Sequence, residues 1–397
     1  MRQHGPTFIL PVLFALAAMT RPEGLMLFGL TGLHRLGANL LGERRLRPRL
    51  GELGWVLGFL VPFGLFFVWR YRYYGYPFPN TYYIKAAGAA ASAVRWGLPY
   101  LWDFVRDNKL WALLPLLPLF WPRTSWSPST IPAAGARGVR PRFFWSYLLL
   151  IALTFVTYVV RVGGDFMAMG RFFVPVLPLL ALLVAEALRE SCERPRSLPA
   201  GTGPRAPRAP DAWRLSRWLP ATVLLVGLAV WNSAGLYREN QQLAYRRWGL
   251  DTIAYLDRFA ADRVLIGRWM REHFPPETTL AVGGAGALVY ASRLRALDTF
   301  GLNDRYIAHE TPATGDRPGH TKSAPDDYLR RQHPDLMCHQ AHHQDFPYRP
   351  SPAEEQQWRA RGYHWVCLGP PGLRPAYYCC LKRLDRALGP FPAEVGS

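Results

Sequence analysis

Leu53-Gly54-Trp55-Val56-Leu57-Gly58-Phe59-Leu60-Val61-Pro62-Phe63-Gly64-Leu65-Phe66-Phe67-Val68-Trp69 holds no charged residue. A helix needs about 20 apolar residues to cross a bilayer, so this stretch predicts a membrane span. Comparable apolar segments lie at Phe8–Met19 with Leu25–Leu33, and at Leu110–Trp121, Phe143–Val160, Phe172–Leu188 and Trp218–Leu236. About six segments, taken together, predict a polytopic α-helical membrane region over 1–236. Within it Arg21-Pro22-Glu23-Gly24 breaks the first apolar block. We read that break as an interfacial turn whose charges reach water.

The loops between these segments differ in charge. Loops 34–52, 122–142 and 188–217 carry five, four and seven Arg or Lys, against four and one in loops 71–107 and 161–170. By the positive-inside rule the first three are cytoplasmic, and the other two, with everything beyond Leu236, lie outside. The same bookkeeping accounts for the net charge of +19 without nucleic acid. No basic run interleaved with aromatics and no nucleic-acid-binding motif is present. Loop 188–217, rich in Pro, Ala and Arg, is expected to be a disordered tether. Ser92–Arg106, with apolar residues at helical spacing, is expected to lie as a helix on the outer leaflet.

After about Ala260 the pattern changes to that of an α/β domain, assigned to 237–397. Asp262–Phe274 has Ile266, Trp269 and Met270 on one helical face, and Pro275-Pro276 stops it. Thr279–Val282, Leu294–Thr299, Leu336, His364–Leu368 and Ala376–Leu381 supply strands. Gly283-Gly284-Ala285-Gly286 lacks the spacing of a phosphate loop and is read as a tight strand–helix turn. Four of the five cysteines (Cys338, Cys367, Cys379, Cys380) fall in this outer part, where disulfides form. A Cys338–Cys367 bridge is conceivable, but sequence does not choose partners; Cys192 is expected as a cytoplasmic thiol.

Candidate chemistry sits on the outer side. Asn80-Thr81-Tyr82-Tyr83-Ile84-Lys85 follows a span end; aromatics belong at such an interface in any case, but Asn80 and Lys85 are not explained by it. Lys85 is placed to hold a lipid phosphate, and the aromatic faces of this stretch suit a sugar ring. Arg161-Val162-Gly163-Gly164-Asp165-Phe166-Met167, with Arg171, makes a short glycine turn at the lipid boundary. Its charges are costly there unless paired or facing a polar cavity. The plainer account of Asp165 and Arg171 is an ion pair that ties the turn. Asp298 and Asp304, with His309 and His320, follow a strand end, a usual place for ligands in α/β sheets. His339, His342 and His343 are read as solvated loop residues, and no metal site is expected.

Arg-Pro-Glu-Gly at 21–24, Pro79–Tyr83 with Lys85, Gly163–Met167 with Gly170-Arg171-Phe172, and Asp298–Asp304 with Ile307-Ala308-His309 resemble the terminal β-(1→2)-arabinofuranosyltransferase family. The resemblance implies a GT-C-type fold, here partial, in the cytoplasmic (inner) membrane with the C-terminal domain extracytoplasmic. It implies a polyprenyl-phosphate-linked sugar as donor, a cell-envelope glycan as acceptor, and no cofactor. Asn80, Tyr82, Lys85, Arg161, Asp165 and Arg171 become donor- or phosphate-binding candidates. Asp298, Asp304, His309 and His320 become acceptor-side candidates. That family carries its principal catalytic Asp in the first extracytoplasmic loop, well before the Arg-Pro-Glu-Gly element. That element begins here at residue 21, so the catalytic base is expected to precede Met1 and is unknown in this sequence. The alternatives are a lipid-linked glycan transporter, which would need polar residues along its spans, and a non-catalytic membrane scaffold, which would tolerate loss of the outer motifs.

Overall fold

The structure is a computed structural model that describes residues 9–42, 47–85, 90–112, 141–193, 212–242, 250–315, 317, 319 and 321–394. Helices run in order as α1 (Ile9–Thr20), α2 (Glu23–Gly42), α3 (Leu50–Tyr74), α4 (Asn80–Lys85), α5 (Ala90–Asp107), α6 (Pro141–Arg161), α7 (Leu177–Glu193) and α8 (Ala212–Asn240). The C-terminal part continues α9 (Ile253–His273), β1 (Thr279–Val282), α10 (Ala287–Ser292), β2 (Arg295–Asp298), α11 (Arg305–Glu310) and α12 (Asp326–Gln332). It ends with β3 (Leu336–Gln344), α13 (Pro352–Ala360), β4 (Tyr363–Leu368), β5 (Tyr377–Arg383) and β6 (Ala393–Glu394).

The chain divides into two compact units, and both are discontinuous in sequence. One comprises Met1–Pro77, Asn108–Val159 and Phe172–Trp231; the other comprises Phe78–Asp107, Val160–Arg171 and Asn232–Ser397. The division does not follow a single boundary at 236. The stretches Phe78–Asp107 and Val160–Arg171 belong to the same unit as the C-terminal part.

In the first unit α1 packs on α2 and α3 through small residues. Ala15, Ala18 and Phe59 are buried there, and Phe28 stacks on Phe59 with ring centroids 3.7 Å apart. The Arg21-Pro22 break divides α1 from α2, and Arg21 reaches back to Glu23 at 2.8 Å with most of its side chain exposed. At 12 residues α1 rises about 18 Å, short of the roughly 30 Å hydrocarbon layer. Helix α3 runs 25 residues and ends at Gly75, whose φ of 76° lets its N–H turn back to Tyr71 O. Leu53, Leu57, Leu60, Val61, Leu65, Val68 and Trp69 stay exposed along it. In water such a surface would be costly; against lipid it is not.

Among the described residues α3 is the one helix long and apolar enough to cross a membrane. At the expected spans Phe8–Met19, Phe143–Val160 and Phe172–Leu188 the structure has the apolar helical stretches Ile9–Thr20, Trp145–Arg161 within α6, and Arg171–Ala185, a 3-10 turn leading into α7. Most of Leu110–Trp121 and the centre of loop 188–217 lie outside the described residues. The expected tether is narrower than drawn, because α7 continues to Glu193 and α8 begins at Ala212.

The second unit is built on a six-stranded sheet of order β2-β1-β3-β5-β4-β6. β1 is parallel to both its neighbours, while β3–β5, β5–β4 and β4–β6 are antiparallel. Strand alternation divides the core in two. Leu280, Val282, Leu336 and Val366 bury on one face with Ile266 and Met270 of α9. Ala281, Met337 and Trp365 bury on the other with Ile307 and Leu329.

The adjacent Cys379 and Cys380 point to opposite faces of β5, so each finds a partner on a different neighbouring strand. Cys380 bonds Cys338 of β3 and Cys379 bonds Cys367 of β4. The conceivable Cys338–Cys367 pairing is thereby replaced. Cys367 and Cys379 are direct cross-strand neighbours, whereas β3 and β4 have β5 between them.

Candidate functional site

Helix α4 is anchored by Ile84, which is wholly buried among Ile307, Ala308 and Leu329. Burying that one apolar residue turns Asn80 toward α11, and His309 Nε2 lies 3.1 Å from Asn80 Oδ1. The amide oxygen accepts, so the ring donates from Nε2 and keeps Nδ1 as its basic nitrogen. Tyr83 packs its ring 4.2 Å from that of His309. Burial, and then the charges of Arg305 and Lys322, hold the His309 pKa below its ordinary value of 6.5. Tyr82 is half exposed and packs against Phe78 with centroids 4.4 Å apart. Lys85 is exposed at the end of α4.

The second element is the turn from Gly163 to Arg171. Gly163, Gly164 and Gly170 all have positive φ, which an L side chain adopts at a cost. At Gly164 there is also no room: a Cβ would stand 2.5 Å from Cγ of Tyr100 on α5. Asp165 is buried; it accepts from its neighbour Phe166 N–H at 2.9 Å and from Nε of Arg171. The Asp165–Arg171 ion pair foreseen as a tie is therefore formed. Arg161, at the end of α6, is exposed.

Asp251 joins this turn without any sequence signal strong enough to announce it. Its N–H donates to Phe166 O at 2.8 Å and its C=O accepts from Ala168 N–H at 2.9 Å, one rung of parallel sheet between Met167 and Asp251. The buried Asp251 carboxylate accepts from Arg317 Nη2 at 2.9 Å, and the Arg317 guanidinium lies 5.7 Å from the centre of the Phe166 ring. Gly319 sits against the same ring. Nearby, Thr321 donates its hydroxyl to Ile84 O, and the buried Lys322 donates to Ala308 O at 2.8 Å. Arg317 thus bonds Asp251 beside the 163–171 turn, Thr321 bonds α4 and Lys322 bonds α11.

The acceptor-side carboxylates are engaged locally. Asp298 accepts from the N–H groups of Phe300 and Asn303, both at 3.0 Å, which closes the 298–304 turn. Asp304 caps α11 by accepting from Ile307 N–H at 2.9 Å and takes a second bond from Tyr328 OH at 2.8 Å. Burial and that carboxylate push the Tyr328 pKa up to about 12. His320 lies outside the described residues.

His339, His342 and His343 stand on β3 rather than in a solvated loop. The strand expected at Leu336 runs on to Gln344 through polar residues that hide its extension in the sequence, and its register with β5 shifts between Met337 and His342. His339 Nδ1 lies 2.8 Å from Thr299 Oγ1, His342 stacks on Tyr348 at 3.7 Å, and His343 donates to Pro375 O at 3.0 Å. Among the described residues no group of three His, Cys, Asp or Glu is placed to hold a metal ion.

Burial lowers the pKa of His339, His342 and His343 as it does that of His309. Unfolding restores each to about 6.5, so below that pH the unfolded chain binds more protons than the folded one. The contribution of these histidines to the stability of the α/β unit is therefore complete above pH 7 and is lost as the pH drops through about 6.5 and below. A thermal midpoint followed from pH 8 to 5 checks this; a midpoint that stays level or rises on acidification contradicts it.

The fold and site together describe an α/β unit and apolar helices, with one arginine–aspartate pair on a glycine turn, a second pair whose Asp251 bonds that turn through its backbone, and an Asn80–His309 contact. Residues 251–379 match the model of a domain family described only as a domain of unknown function, DUF8728. Over 182 residues, 45% of the chain, the sequence is 36% identical to the terminal β-(1→2)-arabinofuranosyltransferase of Corynebacterium glutamicum. That match relates the chain to a glycosyltransferase and covers 25% of the relative's length. No solved structure matches the chain.

Proposed function

We propose that this chain is part of a GT-C-type membrane glycosyltransferase. It moves a sugar, arabinofuranose or a related one, from a polyprenyl-phosphate donor to a cell-envelope glycan on the outer face. The observation that carries the reading is the gathering of three distant motif stretches, 80–85, 163–171 and 298–309, in one compact unit. Asn80 and His309, separated by 229 positions, hydrogen-bond directly within it.

Two buried disulfides in the same unit favour an oxidising compartment, in agreement with the arginine-poor loops that belong to it. In the reaction an acceptor hydroxyl attacks the anomeric carbon, the sugar–phosphate bond breaks, and the bonding pair leaves with the polyprenyl phosphate. The hydroxyl proton passes to a base that we do not assign to any described residue. Asp165, committed to Arg171, positions that guanidinium; Lys85 and Arg171 then stabilise the departing phosphate. No cofactor is invoked.

In a membrane preparation of the full-length protein supplied with polyprenyl-phosphoryl-arabinofuranose and a glycan acceptor, Lys85→Ala lowers transfer about a hundredfold. Asp165→Ala lowers it at least as far. Unchanged transfer at normal protein levels would make the outer motifs dispensable and leave a scaffold as the better description.

A further inference from the structure

Resting on the glycosyltransferase reading, we infer that a cleft between α12 and α13, on the sheet of the α/β unit, binds one sugar ring of the acceptor glycan. Its floor is a row of direct strand neighbours: Met337 of β3 and Trp365 of β4 both pair with Leu381 of β5. Two positions along β3 from Met337, His339 lines the same cleft. Helix α12 contributes Asp326 and, one turn later, Arg330, and α13 contributes Trp358. The cleft encloses about 20 Å³, room for one water or hydroxyl, and its open mouth brings it to about 390 Å³. A ligand therefore puts one hydroxyl into the depth and lays its ring across the mouth.

The lining suits a neutral polyol with an apolar face. Its two charged members are opposite in sign and each has a counter-charge, Asp326 with Arg361 at 3.7 Å and Arg330 with Asp327. No excess of either sign favours a phosphate or a cation. The indoles supply planes for the C–H face of a sugar ring. Trp365 donates its Nε1–H to Glu354 Oε1 at 3.2 Å, and Tyr348 OH holds the same carboxylate at 2.8 Å. Arg361 lies over Trp358, 5.0 Å from its ring centre, and steadies it. Among the described residues neither His339 Nε2 nor Trp358 Nε1 has a hydrogen-bond partner, so each can meet a sugar hydroxyl. Burial lowers the His339 pKa, so its ring is neutral at pH 7. On its other side His339 Nδ1 lies 2.8 Å from Thr299 Oγ1, and Thr299 follows Asp298, whose carboxylate closes the 298–304 turn. The cleft is thus bonded to the motif stretch that carries the acceptor-side carboxylates.

The test measures binding of an arabinofuranosyl tetrasaccharide by calorimetry to the full-length protein in nanodiscs of neutral lipid, with transfer assayed separately in the same preparation. Trp358→Ala weakens binding about tenfold, and Trp358→Phe, which keeps an aromatic plane, restores part of the loss. Asp326→Asn, at an exposed position where folding is not at stake, weakens it about fivefold. In transfer, Trp358→Ala raises the acceptor KM by the same factor and leaves the donor KM as in the wild type. Wild-type affinity in Trp358→Ala and Asp326→Asn, or no tetrasaccharide binding by the wild-type protein, overturns the inference, and transfer that persists in that case keeps the glycosyltransferase reading. Binding that is lost in Trp358→Ala, in a wild-type preparation that transfers no sugar, keeps the cleft as a glycan site and overturns the reading from which the inference starts.

Discussion

Replacing Cys338 and Cys380 together by alanine lowers the stability of the α/β unit by about 4 kcal/mol, and replacing Cys367 and Cys379 lowers it by about 3 kcal/mol. These bridges close loops of 42 and 12 residues, and the difference follows from the larger chain entropy removed by the longer one. They lie in separate core clusters on opposite faces of the sheet. Cys379 adjoins Cys380, however, and the 367–379 loop lies within the 338–380 loop, so removing both costs more than either alone without the losses simply adding. Domains of this size have only about 5–15 kcal/mol in total, so the quadruple variant stands close to unfolding. Urea titration of the purified chain with and without reductant measures both effects. A reduced chain as stable as the oxidised one would mean that the bridges do not form, and with them would go the compartment argument.

Gly164→Ala destabilises the same unit by about 3 kcal/mol and removes transfer. Two costs combine. At a φ of 72° an alanine gives up about 1–2 kcal/mol, and its Cβ, 2.5 Å from the Tyr100 ring, adds roughly 1–3 kcal/mol of overpacking. Because Asp165 follows directly, any shift that relieves the clash also moves the Asp165–Arg171 pair. Tyr100→Ala in the same chain relieves the steric part and leaves the backbone part, so the double variant recovers some transfer. A thermal midpoint for Gly164→Ala equal to that of the wild type would show that the turn does not pack on α5 as described.

How far the sequence could be read depended on whether the information was local. The strands Thr279–Val282 and His364–Leu368, the helix over Ser92–Arg106 and the break at Arg21-Pro22 all declare themselves in a few neighbouring residues. The Asp165–Arg171 tie was legible for the same reason, its partners being six positions apart. The Asn80–His309 contact was not, although both residues were candidates, because burial of Ile84 on α11 decides it. Asp251 and Arg317 were missed altogether: each is an ordinary charged residue until a rung of sheet sets Asp251 beside Phe166 and Arg317 pairs with its carboxylate near that ring. Cysteine pairing likewise waited on strand order, since alternation along β5 divides Cys379 from Cys380 and the sheet supplies their partners.

The central claim is that the stretches forming the α/β unit lie together on the outer side of the membrane. Single cysteines at Tyr82, Met169 and Tyr290, and one at Arg49 in an arginine-rich loop, test it in a Cys192→Ser background with a membrane-impermeant maleimide on intact cells. Labelling of the first three without permeabilisation, and of the Arg49 position only after it, is the expected result. Protection of Tyr82 or Met169 under conditions that label Tyr290 would put those turns across the membrane from the α/β sheet and contradict the account.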